Sequence, residues 1–429
     1  MTQCATHPLF LFLAVWGTAT AFYLGGVRTH LFAGDVPGVT WAVFLNVTAF
    51  SLGYLTWSVL ACPRTPWLEA PYPPGIPLTA RRLRISLLIC LASGLLAIGF
   101  CILRLAFLSQ RCQFGLSYLI THPILCRQAL IEVVTPDMYG IRLCFIAITL
   151  TSGILSAGFV LLGVLLYFGH GLRRYGVVVL LVLVSLSIAL LSLGRQEFTI
   201  NILFLVLSYL FLHHVYRRRR PWAALRPLVV PAVALAVLFV AIEVLLHKSQ
   251  VFGRQGRLEG FLFSLYWYIA SPMAAFAQYL HRAEHTLTLG QSLFFPIYKW
   301  LARAHLVPEV TKTVLTDWLF IPYPANVYTY LRDIHEDFGF AGLIVVPHVL
   351  GAFAAVLRRR AEEFFPYLNL YLALLILLIF SAYNYLLVSN QFYVQAVFVL
   401  LFFRFRLPGL DQLQAHDSVP SHRSYRYSQ

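Results

Sequence analysis

The chain has 429 residues, of which 59% are hydrophobic and only 11% are charged. Soluble domains carry about 25% charged residues, so this composition excludes a soluble protein, a disordered chain and a disulfide scaffold. The formal net charge is +15, but the basic residues flank apolar segments. That arrangement is typical of membrane topology, and no nucleic-acid partner is expected.

Apolar runs long enough to cross a bilayer recur along the chain. A helix of about 20 apolar residues spans the hydrocarbon core, and about ten such runs are present. In chain order they are Leu9–Val27, Val39–Ala61, Ile85–Leu108, Tyr139–Phe168, Tyr175–Leu193, Phe198–Val215, Leu228–Leu246, Phe338–Leu357, Tyr367–Val388 and Phe392–Phe405. The pattern predicts an all-α polytopic membrane protein with about ten transmembrane helices and one large extracytoplasmic loop.

Arginine clusters set the predicted orientation. They lie at 81–84, 173–174, 217–220, 358–360 and 404–406. If the spans alternate, all of these clusters fall on one side, which the positive-inside rule assigns to the cytoplasm. Both termini are therefore predicted to be cytoplasmic.

The predicted spans divide the chain into four parts. Residues 1–246 hold transmembrane helices 1–7, 247–337 form the large outer loop, 338–406 hold helices 8–10, and 407–429 form a disordered cytoplasmic tail. Within the loop, Phe261–Leu280 is apolar but is interrupted by Pro272. It is expected to be an interfacial or re-entrant helix, and a pair of extra crossings is the alternative.

The sequence lacks the common signatures of metal and nucleotide sites. It has 7 cysteines without a CxxC pair, so a zinc site is not expected. Walker and GxGxxG phosphate motifs are also missing. Cys112 and Cys126 share a predicted outer loop, where a disulfide is a hypothesis. Neither a cofactor nor a metal is therefore expected.

A charged turn lies between two apolar runs at Gly194–Glu197. Ionisable residues at membrane depth are costly and by default indicate function. Arg195 is therefore a candidate for binding phosphate oxygens, and a local interaction with Glu197 is the alternative. Arg104 and Arg142 lie near outer span ends, where they either reach the same cavity or extend to lipid headgroups.

A second basic candidate follows the seventh predicted span. Arg254 and Arg257 are three residues apart and are flanked by glycines, so they share a face if the segment is helical. A lipid-linked pyrophosphate would be a suitable anion for them. A solvated loop attracted to anionic headgroups is the alternative.

The end of the long loop combines aromatic, amide, hydroxyl and titratable side chains. Such groups are suited to binding sugars, and an acidic or imidazole side chain there could take a proton from a sugar hydroxyl. The candidates are Asp337, His335, Glu336 and Asp333. The alternative is a cap for the eighth span, because acidic residues favour a helix N-terminus.

One stretch near the end of the long loop resembles the Wzy-type polymerases of O-antigen and other oligosaccharide repeat units. It consists of Asn326–Thr329, Asp337–Gly339 and Gly342. Such enzymes typically carry Asn-Val-Tyr-Thr, then Asp-Phe-Gly, then another glycine. Gly194–Arg195 and Ser271–Pro272 also look similar. The resemblance covers roughly 192–342 well, and the first half of the chain by hydropathy alone.

This resemblance implies a metal-independent glycosyltransferase in the bacterial inner membrane. Its active site would face the periplasm, and its substrates would be undecaprenyl-pyrophosphate-linked glycans. Asp337 would be the first choice as the base, with His335 and Glu336 as further candidates. Pyrophosphate would be bound by Arg195, Arg254, Arg257 and Arg142, and sugars by Asn326, Tyr328 and Thr329. Expected partners are the lipid bilayer, a chain-length regulator and a flippase.

Two other functions remain open at this point. An O-antigen ligase uses similar donors and similar arginines, but transfers glycan to the lipid A core. A flippase or transporter belongs to a different class, which usually shows internal repeats and broken midplane helices. No repeat is visible in the sequence, which favours the polymerase.

Overall fold

The computed structural model describes residues 6–32, 35–60, 76–112, 139–168, 173–192, 196–216, 228–229, 232–237, 240, 257–281, 287–308, 319–321, 323–325, 327–383 and 390–407. The predicted span Leu228–Leu246 lies mostly outside these residues. Cys126 and the tail 408–429 lie wholly outside them, so the disulfide hypothesis and the predicted disorder of the tail stay predictions.

Helices account for nearly all of the described chain. They are α1 (Pro8–Arg28), α2 (Val36–Leu60), α3 (Ala80–Cys112), α4 (Tyr139–Phe168), α5 (Arg173–Ser192), α6 (Gln196–Tyr216), α7 (Arg257–Leu280), α8 (Phe295–Arg303), α9 (Tyr330–Arg360), α10 (Phe365–Phe380) and α11 (Asn390–Phe402). Four two-residue strands are β1 (Ile76–Pro77), β2 (Leu319–Phe320), β3 (Pro324–Ala325) and β4 (Phe405–Arg406). β1 pairs with β4 in parallel, and β2 pairs with β3 antiparallel.

Within the described residues, 7 helices are long and apolar enough to cross a membrane. They are α1 to α6 and α9, while α10 and α11 are shorter apolar helices. This confirms the predicted all-α polytopic class. The count of about ten spans and the size of the outer loop stay predictions.

Two groups of helices form the bundle. α1, α2, α7, α9 and α10 pack together, and α3, α4, α5, α6 and α11 form the other group. Glycines bring α2 and α9 into backbone contact, because a Cβ at Gly351 would lie 2.2 Å from the carbonyl oxygen of Phe50 and one at Gly53 would lie 2.1 Å from that of His348. Small residues at such crossings allow the close packing that holds membrane helices together.

A buried hydrogen-bond network joins the second group. The Ser156 hydroxyl donates to Asn201 Oδ1 at 2.6 Å, and Asn201 Nδ2 donates to the Ser185 hydroxyl at 2.9 Å. Gln391 Nε2 reaches the Ser156 hydroxyl at 2.6 Å. These bonds connect α4, α5, α6 and α11 through side chains whose polar atoms have no water to bind in a bilayer.

α9 begins in the interior of the bundle rather than at its surface. The Tyr330 backbone N–H donates to the Ser381 carbonyl at 3.0 Å, and Trp16 Nε1 donates to the Ser381 hydroxyl at 3.0 Å. The Tyr330 hydroxyl donates to Asn46 Oδ1. Trp16 and Asn46 lie near the middles of α1 and α2, so the first turn of α9 lies at the same depth.

The sequence prediction placed the start of this span at Phe338, but α9 starts at Tyr330 and is broken at Gly339 (φ 62°, ψ −153°). Hydropathy placed the polar and acidic residues before Phe338 in the outer loop. The structure instead gives them a helical segment of their own, because buried aromatic contacts hold its first turn: Tyr330 packs against Trp16 with ring centroids 5.7 Å apart.

At the other end of the bundle, His7 lies just before α1. Its Nε2 is 3.4 Å from the Tyr54 hydroxyl, which accepts a hydrogen bond from Arg358 Nη1 at 2.7 Å. Burial, and then the positive charges of Arg358 and His214, lower the pKa of His7 to about 4. The folded protein therefore holds His7 in its neutral form.

Acid is expected to destabilise the protein through His7. The unfolded chain binds a proton at His7 near pH 6.5, whereas the folded chain does so only near pH 4. The stabilising contribution is therefore present above pH 6.5 and declines as the pH falls towards 4. Thermal unfolding of His7→Gln in detergent should depend less on pH in this window than that of the wild type. His281→Gln is the control, because His281 is exposed; equal pH slopes for all three proteins would contradict the prediction.

Candidate functional site

The structure brings several predicted site residues together at the start of α9. Tyr328 and Thr329 precede the helix and are buried, and His335 and Asp337 lie in its first segment and are also buried. Glu336 lies between them and is half-buried. Their side chains contact different parts of the structure. Glu336 and Asp337 contact the segment 287–294, whereas His335 contacts α7.

Asp337 holds the segment 287–294 against α9. Its carboxylate is 0% exposed and accepts the backbone N–H of Ser292 at 2.9 Å and that of Leu293 at 2.6 Å. The Thr288 hydroxyl donates to the same carboxylate. Hydrogen bonds from backbone N–H groups stabilise a buried carboxylate, so Asp337 is well placed to fix this segment.

Further contacts support the same attachment. The backbone N–H of Thr288 donates to the Glu336 carbonyl at 3.1 Å, and that of Leu289 donates to the Asp337 carbonyl at 3.1 Å. The Ser292 hydroxyl lies 3.4 Å from Glu336 Oε2. Because the segment leads directly into α8, Glu336 and Asp337 position that helix. Their predicted role as bases stays a prediction, and a substrate hydroxyl would have to reach the Asp337 carboxylate, which is 0% exposed.

His335 faces α7 rather than the loop. Its Nδ1 lies 3.2 Å from the Tyr279 hydroxyl, and the two rings meet edge to face with centroids 5.7 Å apart. The Phe340 ring packs on it at 4.8 Å. Tyr279 therefore fixes the orientation of the imidazole. Sequence reasoning missed this tyrosine, because it lies in a run of small and apolar residues.

Arg332 is the second residue that sequence reasoning missed. Its guanidinium carbon lies 4.0 Å from the centroid of the Tyr328 ring and 5.5 Å from that of the Tyr279 ring. The available signal was an arginine between two aromatic residues and an acidic group. The prediction that the span starts at Phe338 placed Arg332 in the large outer loop.

Arg142 lies with a different group of cations. It is exposed at the start of α4, close enough for its charge to act on Lys299 of α8. Burial, and then the charges of Arg303 and Arg142, lower the pKa of Lys299. The structure thus groups Arg142 with α8, and the two cations of that helix were not predicted as site residues.

The remaining predicted arginines and the amide are not placed by the structure. Arg195, Arg254 and Asn326 lie outside the described residues, and Arg257 is known only as the first residue of α7. The alternative role of Arg195 as a partner of Glu197 is likewise not tested. Arg104 acts electrostatically on Glu197 and lies 5.4 Å from the centroid of the Phe145 ring.

The arrangement at the start of α9 offers a cation, an imidazole–phenol pair and buried hydroxyl groups in the bundle interior. Such a set can bind an oxyanion and can accept a proton from a hydroxyl group. Among the described residues, no group of three or more His, Cys, Asp and Glu side chains could hold a metal ion. Comparison of the chain with models of known families, with curated proteins and with solved structures finds no match.

Proposed function

We propose that this protein is an inner-membrane polymerase that joins undecaprenyl-pyrophosphate-linked oligosaccharide repeat units at the periplasmic face. The observation that carries the proposal is the group of Tyr328, Arg332, His335 and Tyr279 inside the bundle. Polar and ionisable groups inside a membrane protein cost free energy of desolvation, and their presence there by default indicates a functional site. The resemblance of the surrounding sequence supports the same conclusion.

The chemistry is a glycosyl transfer. A hydroxyl of the acceptor repeat unit attacks the anomeric carbon of the donor glycan, and the bond from that carbon to the phosphate oxygen breaks. The pyrophosphate leaves with the electron pair, and the hydroxyl proton passes to a base, for which His335, Glu336 and Asp337 are the candidates. Because the lipid pyrophosphate is itself the activated leaving group, the reaction requires neither a nucleotide nor a metal.

Other residues would bind the two parts of the substrate, its sugars and its pyrophosphate. Tyr328, Thr329 and Asn326 would position sugar hydroxyls, since aromatic faces and hydrogen-bonding groups suit carbohydrate. The predicted pyrophosphate ligands are Arg195, Arg254, Arg257 and Arg142. Partners would be the bilayer, a flippase that delivers repeat units and a chain-length regulator.

A second candidate is a transporter or flippase for lipid-linked oligosaccharide. The break in α9 at Gly339 favours it, because transporters often bind anionic substrates at the ends of discontinuous helices near the midplane. An O-antigen ligase is a third candidate, which uses the same lipid-linked donor.

Glycan length in cells that lack the protein separates these functions. A wild-type ladder that collapses to single repeats attached to the core supports the polymerase. Complete loss of attached glycan with long lipid-linked chains indicates a ligase, and repeats accumulating on the cytoplasmic side indicate a flippase. Either of the last two results would overturn the proposal.

Arg195→Ala should abolish chain elongation in the same assay. Loss of one preorganised donor to a developing anion costs about 3–4 kcal/mol, or a rate loss of about 100-fold to 1000-fold. Arg404→Gln is the matched control, because it removes one exposed arginine near the opposite end of the bundle. Both variants should reach the membrane in normal amounts. Long glycan in cells carrying Arg195→Ala would rule out this role.

A further inference from the structure

We propose that Arg332 binds a phosphate oxyanion inside the helix bundle, together with the Thr329 hydroxyl at the start of α9. The inference rests on the proposed function only for the source of the phosphate, which would be the lipid-linked pyrophosphate. The binding site itself is argued from the contacts of Arg332.

Two of the three nitrogens of the Arg332 guanidinium are buried without a hydrogen-bond acceptor. Arg332 Nε and Nη1 are inaccessible to solvent and make no hydrogen bond to any described residue. The cation instead lies over the Tyr328 ring, with Cζ 4.0 Å from the ring centroid. Buried polar groups are nearly always hydrogen-bonded, and a buried arginine without an acceptor is therefore unusual. A bound anion would supply the missing acceptor.

The carboxylates of Glu336 and Asp337 serve other contacts. Glu336 is four residues further along α9, a spacing at which opposite charges can pair on one helix face. Its Oε2 lies 3.4 Å from the Ser292 hydroxyl, and Asp337 accepts the backbone N–H groups of Ser292 and Leu293. In the described part of the chain, Arg332 makes no ion pair. Arg332 is thus kept available while Glu336 and Asp337 hold the segment 287–294.

The Tyr328 ring lies against the cation and takes up none of its N–H donors. Arg332 Cζ is 4.0 Å from the ring centroid, and the N–H groups of a guanidinium form a two-pronged edge that matches phosphate oxygens. An aromatic ring beneath the cation also fixes its position without competing for its donors.

Thr329 offers a second buried donor at the start of the same helix. It is 0% exposed, and its Oγ1 has no hydrogen-bond partner among the described residues. It occupies the N-cap position of α9 without making the usual side-chain cap. The positive end of a helix dipole favours an anion there. A hydroxyl and a planar guanidinium are both donors that a phosphate oxyanion can accept.

The test measures thermal unfolding of the purified full chain in nanodiscs of zwitterionic lipid, with and without inorganic pyrophosphate. Pyrophosphate should raise the Tm of the wild type and of the control Arg404→Gln. Arg332→Met, which keeps an unbranched side chain over Tyr328, should lose the shift. Arg332→Lys and Thr329→Val should bind at least about tenfold more weakly, since each loses hydrogen-bond donors to a charged ligand.

Stability without ligand separates binding from a structural role. If Arg332 is held for a ligand, Arg332→Met should unfold at the same or a higher temperature than the wild type, because the variant no longer buries an unpaired cation. A lower Tm combined with an unchanged pyrophosphate shift would overturn the proposal. So would a wild type that shows no shift with any phosphate compound.

Two further arms identify the source of the phosphate. Nanodiscs that contain undecaprenyl phosphate or phosphatidylglycerol should be compared. A shift with the polyprenyl lipid that Arg332→Met abolishes supports the proposed donor. A shift confined to phosphatidylglycerol and dependent on Arg332 supports the oxyanion site but assigns it to a headgroup, and would count against the polymerase. Failure of the glycan assay together with Arg332-dependent binding would overturn the function alone.

Discussion

Asp337→Ala is expected to release the segment 287–294 from α9 and to destabilise the protein by about 3–5 kcal/mol. The variant leaves the backbone N–H groups of Ser292 and Leu293 and the Thr288 hydroxyl without their acceptor. Each such group costs about 1–3 kcal/mol when it stays buried. The Tm in detergent should fall, and proteases should cut between residues 287 and 308 more readily than in the wild type.

Conservative variants separate attachment from catalysis at this position. Asp337→Asn keeps one oxygen acceptor but directs an amide donor at a backbone N–H, so it should lose an intermediate amount of stability. If positioning is the main role, activity should follow Tm across the two variants. An Asp337→Asn protein with the wild-type Tm and protease pattern, but with turnover reduced by more than about tenfold, would instead identify Asp337 as the base.

Hydropathy predicted the first part of the fold well. α1 to α6 lie within a few residues of the predicted spans, because apolar side chains dominate each of them over a length that can cross a membrane. α9 was mispositioned at its start since no apolar run marks Tyr330. Its location depends on hydrogen bonds to Asn46 and Ser381, which are far away in sequence. Such contacts cannot be read from local composition.

The site was predictable by residue type and less so by role. Tyr328, Thr329 and His335 were selected because aromatic, hydroxyl and imidazole groups cluster there, and the structure does place them together. The contact between Tyr279 and His335 joins residues 56 positions apart. The roles of Arg332 and Asp337 depend on the neighbours that their side chains contact in the first segment of α9. Sequence spacing does not show which neighbours these are.

The break itself depends on one glycine. Gly339 has φ 62° and ψ −153°, a combination that is essentially restricted to glycine. Among the described residues, a Cβ there would meet only Leu287 Cδ2 at 3.7 Å, which is an ordinary contact. The cost of a side chain at this position is therefore conformational, at about 1–3 kcal/mol.

Gly339→Ala should accordingly favour a continuous α9 and withdraw its first segment from the bundle interior. Tyr330 would lose its bond to Asn46, and Arg332 would lose its place over Tyr328. We expect this one variant to have a lower Tm, to lose chain elongation and to lose the rise in Tm that pyrophosphate causes in the wild type. Gly99→Ala in α3 is the matched control: a Cβ there meets nothing within 4 Å, and alanine is the better helix former by about 1 kcal/mol. Equal Tm and equal activity for Gly339→Ala and the wild type would show that the break in α9 is not needed, and the interior site built on it would have to be abandoned.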